Sequence, residues 1–226
     1  MSELQPSVDF FGIVIQEPTT VLTDLLISGV CFYAYLKLYN EKRSEKSFHL
    51  LHKFFLVMGI ATSVSGLVGH GFLYAFGVAW KLPGWLTSIL SIWFLERASI
   101  EHANGVIPFV TLRWLRFINV LELIFFLGAT LYYLDFFLVE LYTAFGLFVV
   151  NLPIQIFIMY RARNDVSRLF IQAILLTLLS AVIFKIEISF GIWFNHLDVS
   201  HVIIAFAIYT FYISAKNYKI PVLNKK

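Results

Sequence analysis

Charged residues are scarce in this sequence: only 14% of its 226 residues are Asp, Glu, Lys or Arg. Soluble proteins average about 25% charged and about 45–50% apolar residues. Here 59% of the residues are hydrophobic, and the mean hydropathy is +0.80. One water-soluble core cannot hide that much apolar surface, so we expect lipid to be the solvent for most of the chain.

Cysteine is almost absent, since Cys31 is the single one. One cysteine cannot form a disulfide within the chain, so a disulfide scaffold is excluded. The first residues are acidic and lack the basic segment that opens a secretory signal peptide, so the first hydrophobic helix is expected to act as its own insertion signal. The net charge of +3 is interpreted as a topology signal, and nucleic acid is not an expected partner.

Seven apolar stretches are long enough to cross a bilayer, whose core needs roughly 20 residues of helix. They leave only short connections and no room for a soluble domain. The sequence therefore predicts one domain over residues 1–226, an all-α bundle of seven transmembrane helices. The predicted spans cover about 19–40, 48–78, 84–104, 117–135, 138–160, 168–195 and 199–217.

Basic residues are concentrated in alternate connections. The segments after spans 1, 3, 5 and 7, with their flanks, hold 13 of the 17 Lys and Arg residues. The opposite segments are acidic and contain Lys81 as their only basic residue. Positive residues favour the cytoplasmic side of a membrane. The pattern predicts an integral multi-pass protein with its N-terminus outside and its C-terminus in the cytoplasm.

Three histidines are predicted at the outer end of this bundle. His70 lies near the end of span 2, His196 precedes span 7, and His201 lies in its first turn. Ionisable groups at membrane depth are costly and indicate functional sites by default. Three imidazoles with one open position form a common catalytic zinc site. The alternative is that each histidine only hydrogen-bonds to a neighbour at a helix end.

The spacing of two of these histidines restricts a shared metal site. His196 and His201 are five residues apart, about 140° around an ideal helix. They can bind one ion only if His196 precedes the helix and the chain curls back. Asp198 or Ser200 as the helix N-cap would allow that conformation.

Other charged residues are predicted at the same depth. Asp24 lies at the outer end of span 1, and Lys185 and Glu187 lie in the outer half of span 6. Residues two apart on a helix face different ways, so Lys185 and Glu187 are not expected to pair. The predicted partner of Lys185 is Asp24 or Asp198.

Polar residues in the inner half of the bundle have a structural interpretation. Glu101 follows Arg97 by four residues, a spacing that predicts an ion pair within one helix. Glu122 in span 4 is a candidate partner for this group. Asn151 and Pro153 predict a kink in span 5 with a polar contact inside the bundle.

The sequence resembles the CREST superfamily of alkaline ceramidases, progestin/adiponectin-type receptors and Per1-like lipid remodelling proteins. The resemblance spans nearly the whole chain and rests on three short motifs and the seven-span topology. The motifs are an acidic-Pro pair opening span 1 with polar residues after it, a histidine late in span 2, and two histidines opening span 7: Glu17, Pro18, Thr20, Thr23 and Asp24; His70; His196 and His201. The resemblance implies a seven-helix hydrolase or relative whose Zn²⁺ is bound by His70, His196 and His201.

The sequence also departs from the family pattern. Gly66, beside Ser65, occupies the position of a family serine, and Lys81 occupies that of an aspartate. One extra residue separates the two histidines of span 7. The remaining catalytic candidates, as general base, supporting acceptor or substitute serine, are Asp24, Glu187, Asp198 and Ser65.

The leading hypothesis is a zinc-dependent membrane hydrolase that cleaves an amide or ester bond of a lipid arriving from the outer leaflet. The alternative is a non-catalytic receptor-like or structural bundle whose metal only braces the helices. A transporter is less favoured because no internal repeat is visible, and a retinal protein because span 7 has no mid-span lysine. A Ca²⁺ ion at Glu17 and Asp9, the substrate, the membrane and the oligomeric state are left open.

Overall fold

The computed structural model describes residues 5–222 as a bundle of long helices. Seven of them are long and apolar enough to cross a membrane, which is consistent with an all-α, multi-pass membrane protein. They are α1 Pro18–Tyr39, α2 Lys46–Gly71, α3 Val78–His102, α4 Phe109–Tyr133, α5 Phe137–Ala162, α6 Asp165–Lys185 and α7 His196–Lys216.

Successive helices run antiparallel. Ser47 at the start of α2 donates to the Ala98 carbonyl near the end of α3, and Ser180 near the end of α6 donates to the Ser200 carbonyl near the start of α7. The end at which α1, α3, α5 and α7 begin is called the N-terminal end of the bundle. The opposite end is called its C-terminal end.

Two spans, 2 and 6, were predicted to continue further along the sequence than the helices do. Span 2 was expected to reach residue 78, but α2 ends at Gly71. Span 6 was expected to reach residue 195, but α6 ends at Lys185 and Glu187 follows with a φ of 55°. A left-handed residue cannot continue a right-handed helix. Apolar composition continues past both helix ends, so hydropathy alone could not locate them.

Two of the long helices contain π-helical segments, Ser65–Gly71 in α2 and Phe145–Asn151 in α5. Ser99 on α3 donates to Asn151 Oδ1 on α5 over 2.6 Å, and Asn151 Nδ2 donates to the Gly146 carbonyl within α5 over 2.8 Å. The expected polar contact inside the bundle is therefore present. π-Helical turns are rare overall but frequent at functional sites, so both segments indicate candidate sites.

Apolar packing closes the bundle. Helix α1 packs between α2 and α7, α6 packs between α5 and α7, and α3 contacts α2, α4 and α5. The main core contains edge-to-face pairs of Phe211 with Phe54 and Phe170, whose ring centroids are 6.0 and 4.8 Å away. Helix α4 is peripheral and buries only Leu112, Asn119 and Thr130. Large apolar side chains cover the outside of the bundle, as a lipid environment requires.

A β-hairpin precedes α1. Strand β1 (Val8–Phe10) pairs antiparallel with β2 (Ile13–Ile15). The two linking residues, Phe11 and Gly12, have φ of 54° and 79°, and positive φ at both central positions is the property of a type I′ turn. Gln16 donates its backbone N–H to the Gly71 carbonyl over 3.0 Å. The hairpin is therefore attached to the end of α2 where His70 lies.

Candidate functional site

Asp24 on α1 lies between the rings of two histidines at the N-terminal end of the bundle. His70 Nε2 on α2 is 4.0 Å from Asp24 Oδ2, and His201 Nε2 on α7 is 3.8 Å from Asp24 Oδ1. Asp24 is only 3% exposed, and its Oδ2 has no hydrogen-bond donor within the described residues. A buried carboxylate oxygen without a donor is costly unless it has a further role.

The second nitrogen of each ring has a partner. His70 Nδ1 bonds to the Glu17 carboxylate, and His201 Nδ1 lies 3.1 Å from the Thr23 hydroxyl. The hydrogen bond from His70 lowers the pKa of Glu17 below its usual value. With the proton on Nδ1, each ring directs the free lone pair of Nε2 towards Asp24. Carboxylates and hydroxyls orient metal-binding imidazoles in the same way.

Gly66 allows α1 and α2 to approach closely at this point. A Cβ atom at residue 66 would lie 2.8 Å from Asp24 Cβ and 3.3 Å from the Val21 carbonyl oxygen. A serine would therefore collide with Asp24 in this arrangement. The glycine at residue 66 is thus explained by the place that Asp24 occupies. Ser65, the residue before Gly66, lies near the Asp24 carboxyl group.

Asp198 is hydrogen-bonded within the joint between α1 and α7. Its Oδ1 accepts from Thr20 over 3.0 Å, and its Oδ2 accepts from the side chain of Gln5 over 2.5 Å and from Asn195 N over 2.8 Å. Asn195 is the N-cap of α7, and Asp198 completes a capping box with it. The expectation that Asp198 or Ser200 is the cap was wrong, because the asparagine at residue 195 begins the helix earlier.

His196 is the first residue of α7 and does not precede the helix as expected. It is 8% exposed, and its ring centroid lies 5.4 Å from that of Phe184. Its Nδ1 has no hydrogen-bond partner, and within residues 5–222 no hydrogen bond or ion pair joins it to His70 or His201. The structure therefore brings two of the three histidines together at Asp24. The role of His196 as a ligand stays a prediction.

Lys185 does not pair as predicted. It lies at the end of α6, and its Nζ is 3.4 Å from Glu140 Oε2 on α5, at the exposed surface. The predicted pairing with Asp24 or Asp198 was wrong. Both of those carboxylates lie at the interfaces of α1 with α2 and α7, whereas the end of α6 faces α5 here.

The remaining carboxylate candidates have separate surroundings. Glu187 is exposed beyond the end of α6, and no contact with the histidines involves it among the described residues. Asp9 Oδ1 accepts from the backbone N–H of Gly12 over 2.8 Å within the hairpin turn. Glu17 bonds to His70. These contacts support Glu17 as a partner of the histidine pair, while Glu187 as a base stays a prediction.

The nitrogen and oxygen atoms around Asp24 are of the kinds that bind zinc, but they lie too far apart to be ligands of one ion in this arrangement. Within residues 5–222, no group of three or more His, Cys, Asp or Glu is arranged to hold a metal. Two ligands of a tetrahedral Zn²⁺ are about 3.4 Å apart, given bond lengths near 2.1 Å. The N–O separations of 4.0 and 3.8 Å exceed that distance by a few tenths of an ångström.

Comparison with known proteins places the chain in a family. The model of a family of unknown function, DUF6962, matches residues 19–219. The chain belongs to DUF6962. The match includes Asp24, His70 and His201 and begins just after Glu17. No curated protein and no solved structure matches the chain.

Some features of this site in the DUF6962 chain could be predicted from the sequence, and others could not. Thr20, Thr23 and Asp24 follow the i, i+3, i+4 spacing that puts side chains on one helix face, so their common direction was detectable. Gln5 bonds to Asp198, which is 193 residues away. No local pattern could indicate that pair.

Proposed function

We propose that this chain is a zinc-dependent membrane hydrolase that cleaves an amide or ester bond of a lipid. The observation that carries the proposal is the pair of histidines at Asp24. Both rings direct Nε2 to one buried carboxylate, while Glu17 and Thr23 hold their Nδ1 atoms. The resemblance to the CREST superfamily, which includes alkaline ceramidases, suggested the same two histidines from sequence.

Each residue of the cluster has a part in this proposal. His70 and His201 hold the metal, and Asp24 supplies a carboxylate as a ligand or proton acceptor. Zn²⁺ in such a site activates a water molecule and polarises a carbonyl group. Glu17 and Thr23 fix the rings. His196, whose Nδ1 has no partner among the described residues, is the third imidazole that the family resemblance implies.

The proposal also includes an orientation. The cluster lies at the N-terminal end of the bundle, whereas 13 of the 17 basic residues belong to connections and flanks of the C-terminal end. By the positive-inside rule, the cluster would face the outer side of the membrane. Phe10 and Phe11 of the neighbouring hairpin are 60% and 91% exposed, which suits contact with the outer leaflet.

Metal analysis tests the proposal. Purified protein would be analysed by plasma mass spectrometry as wild type, His70→Ala, His201→Ala and His196→Ala, with His49→Ala as the control. His49 is exposed and lies at the C-terminal end of the bundle. We expect about one zinc per chain, lost in the first two variants and retained in the control. Loss in His196→Ala as well would make His196 the third ligand.

The outcome then directs an activity screen. Wild-type protein with zinc should release a fatty acid from a lipid amide or ester, and His201→Ala should not. Zinc-free wild type, or equal zinc in all variants, would contradict the proposal.

A second candidate is a non-catalytic bundle in which the same residues brace the helices. The hydrogen bonds around Asp198 connect α1 with α7 and Gln5, and the Glu17–His70 bond connects the hairpin end with α2. Each of these bonds joins two protein groups directly. In this case zinc would raise the melting temperature, and no lipid product would appear in the screen.

A further inference from the structure

A row of buried polar side chains extends along α3 from the C-terminal end of the bundle to its interior. Glu96, Ser99 and His102 are three residues apart and lie on one helix face. They are 0%, 0% and 3% exposed. Gln155 on α5 donates to the Ser99 hydroxyl over 3.0 Å, and His102 Nε2 is 3.1 Å from the Lys219 carbonyl at the C-terminal end. The row is called the α3 polar row.

Its inner end is a pair of carboxyl groups. Asn119 on α4 uses both hydrogens of Nδ2, one to Glu96 Oε2 over 2.7 Å and one to Glu122 Oε1 over 2.9 Å. Tyr142 on α5 donates to the same Glu96 oxygen over 3.0 Å. Glu96 fits here because Gly146 has no side chain, and the Glu96 carboxyl group occupies the space that a Cβ there would need. Gly146 belongs to the π-helical segment of α5.

No Lys, Arg or His pairs with Glu96 or Glu122 among the residues that the structure describes. Two carboxyl groups joined through one amide, between apolar helices, cannot both carry a charge without a compensating cation. Two basic side chains of the neighbouring helix α2, Lys46 and Lys53, are engaged elsewhere. Lys46 binds Glu101 over 3.0 Å, and Lys53 lies over the Phe94 ring.

Among the described residues, no hydrogen-bond donor reaches three buried oxygens of this region: Glu96 Oε1, Asn119 Oδ1 and Gln155 Oε1. All three are acceptors, and their residues are at most 1% exposed. A shared deficit of donors indicates a missing species that is positive or donates hydrogen bonds. Asn119 and Glu122 also line a groove of about 290 Å³ between α4 and α5, so the pair is not sealed from outside.

We propose that Glu96 and Glu122 form a binding site for a small monovalent cation, either a proton or an alkali ion, loaded along the α3 polar row from the C-terminal end. Oxygen donors of this kind bind hard cations. The site is separate from the histidine cluster and does not depend on the proposed hydrolase activity.

The groups that face Glu96 determine how a titration is interpreted. On α4 the titratable group is Glu122, and on α5 it is Tyr142. On α3 itself His102 lies two turns away, beside the Lys219 carbonyl. Helix α2 contributes Lys46 and Lys53, whose partners are named above. A response that both Glu96→Gln and Glu122→Gln abolish therefore belongs to the carboxyl pair.

Infrared spectroscopy of the full-length protein in detergent tests the site. The signal is the C=O stretch of a protonated carboxyl group. One arm varies pH in choline chloride, and the other replaces choline with Na⁺, K⁺ or Li⁺ at constant pH and ionic strength. The control is Glu140→Gln, because Glu140 is a carboxylate of α5 at the surface. Thermal unfolding is recorded for the same samples.

A proton site predicts a band that changes with pH and not with alkali ions. An alkali-ion site predicts a loss of the band when that ion is added, with a rise in melting temperature of about 2–4 °C. Either response should disappear in Glu96→Gln and Glu122→Gln and persist in Glu140→Gln. Glu122 is only half-buried, so its variant tests the site if Glu96→Gln does not fold. A wild type that responds to neither arm, or Gln variants that respond like wild type, would overturn the proposal.

Discussion

Asp24 and Glu101 are both buried carboxylates at helix interfaces, but at opposite ends of the bundle and with opposite surroundings. Glu101 accepts from Lys46 over 3.0 Å, from Arg97 over 3.2 Å and from Arg116 over 2.7 Å. Asp24 faces two histidine nitrogens at 3.8 and 4.0 Å and keeps one oxygen without a donor. A fully paired carboxylate contributes to stability, whereas an unpaired one is typical of functional sites.

The comparison predicts the largest effect at Glu101. Glu101→Gln keeps the shape of the side chain but removes the charge that Lys46, Arg97 and Arg116 share. Removing one partner of a buried pair typically costs about 3–5 kcal/mol. We expect a decrease in unfolding free energy of about 3 kcal/mol, measured by denaturant titration in micelles, with unchanged zinc content in the folded fraction. Unchanged stability would show that these ion pairs contribute nothing.

For Asp24 we expect the opposite of the Glu101 result, with stability maintained and zinc affinity reduced. Asp24→Asn should leave the unfolding free energy equal or higher, because a buried charge with an unpaired oxygen is removed. Its zinc affinity should fall about 10–100-fold, the range found when a group that supports a metal site is changed. Dialysis against buffered free zinc measures the affinity. A destabilised variant with normal zinc binding would place Asp24 in the same class as Glu101.

A third prediction concerns the close approach that places Asp24. Gly66→Ser would force a side chain against Asp24 Cβ and the Val21 carbonyl oxygen. Overpacking of this kind typically costs about 1–3 kcal/mol. We expect a loss of stability in this range and a parallel loss of zinc. The matched control is Gly128→Ser on α4, because a Cβ there meets nothing within 4 Å.

The smallest predicted effect is at the start of α7. Asn195→Ala removes the N-cap bond to Leu197 N, which measures 2.9 Å. Losing such a cap costs about 1 kcal/mol. The melting temperature should fall by about 2–4 °C, with zinc affinity nearly unchanged because His201 lies more than a turn away. A large loss of zinc would mean that the cap positions the histidines directly.

Local patterns predicted the parts of the molecule that depend on neighbours along one helix. The Arg97–Glu101 ion pair is confirmed, since its i, i+4 spacing is a property of a single helix. Seven long apolar helices are confirmed as well, because every backbone group in an apolar medium must bond within its own segment. The ends of α2 and α6 were predicted too late because their apolar composition continues into the loops.

Contacts between helices were predicted less well. His70 and His201 both lie within about 4 Å of Asp24, and the predicted depths of spans 2 and 7 allow this. Depth does not determine direction, however, and His196 contacts Phe184 while Lys185 contacts Glu140. Helix rotation and packing determine such pairs, and neither is visible in residue spacing. The π-helical turn that carries His70 shifts the direction of its side chain further.

Sequence alone determined that the chain forms seven apolar helices and that its basic residues gather at one end, because both properties follow from composition and order. Tertiary structure alone decided which polar groups meet. Asp24 lies between His70 and His201, and Glu96 meets Glu122, because α1 approaches α2 closely at Gly66 and α3 approaches α5 closely at Gly146. Such approaches depend on the absence of a side chain at one residue and on the shapes of helices far away in sequence.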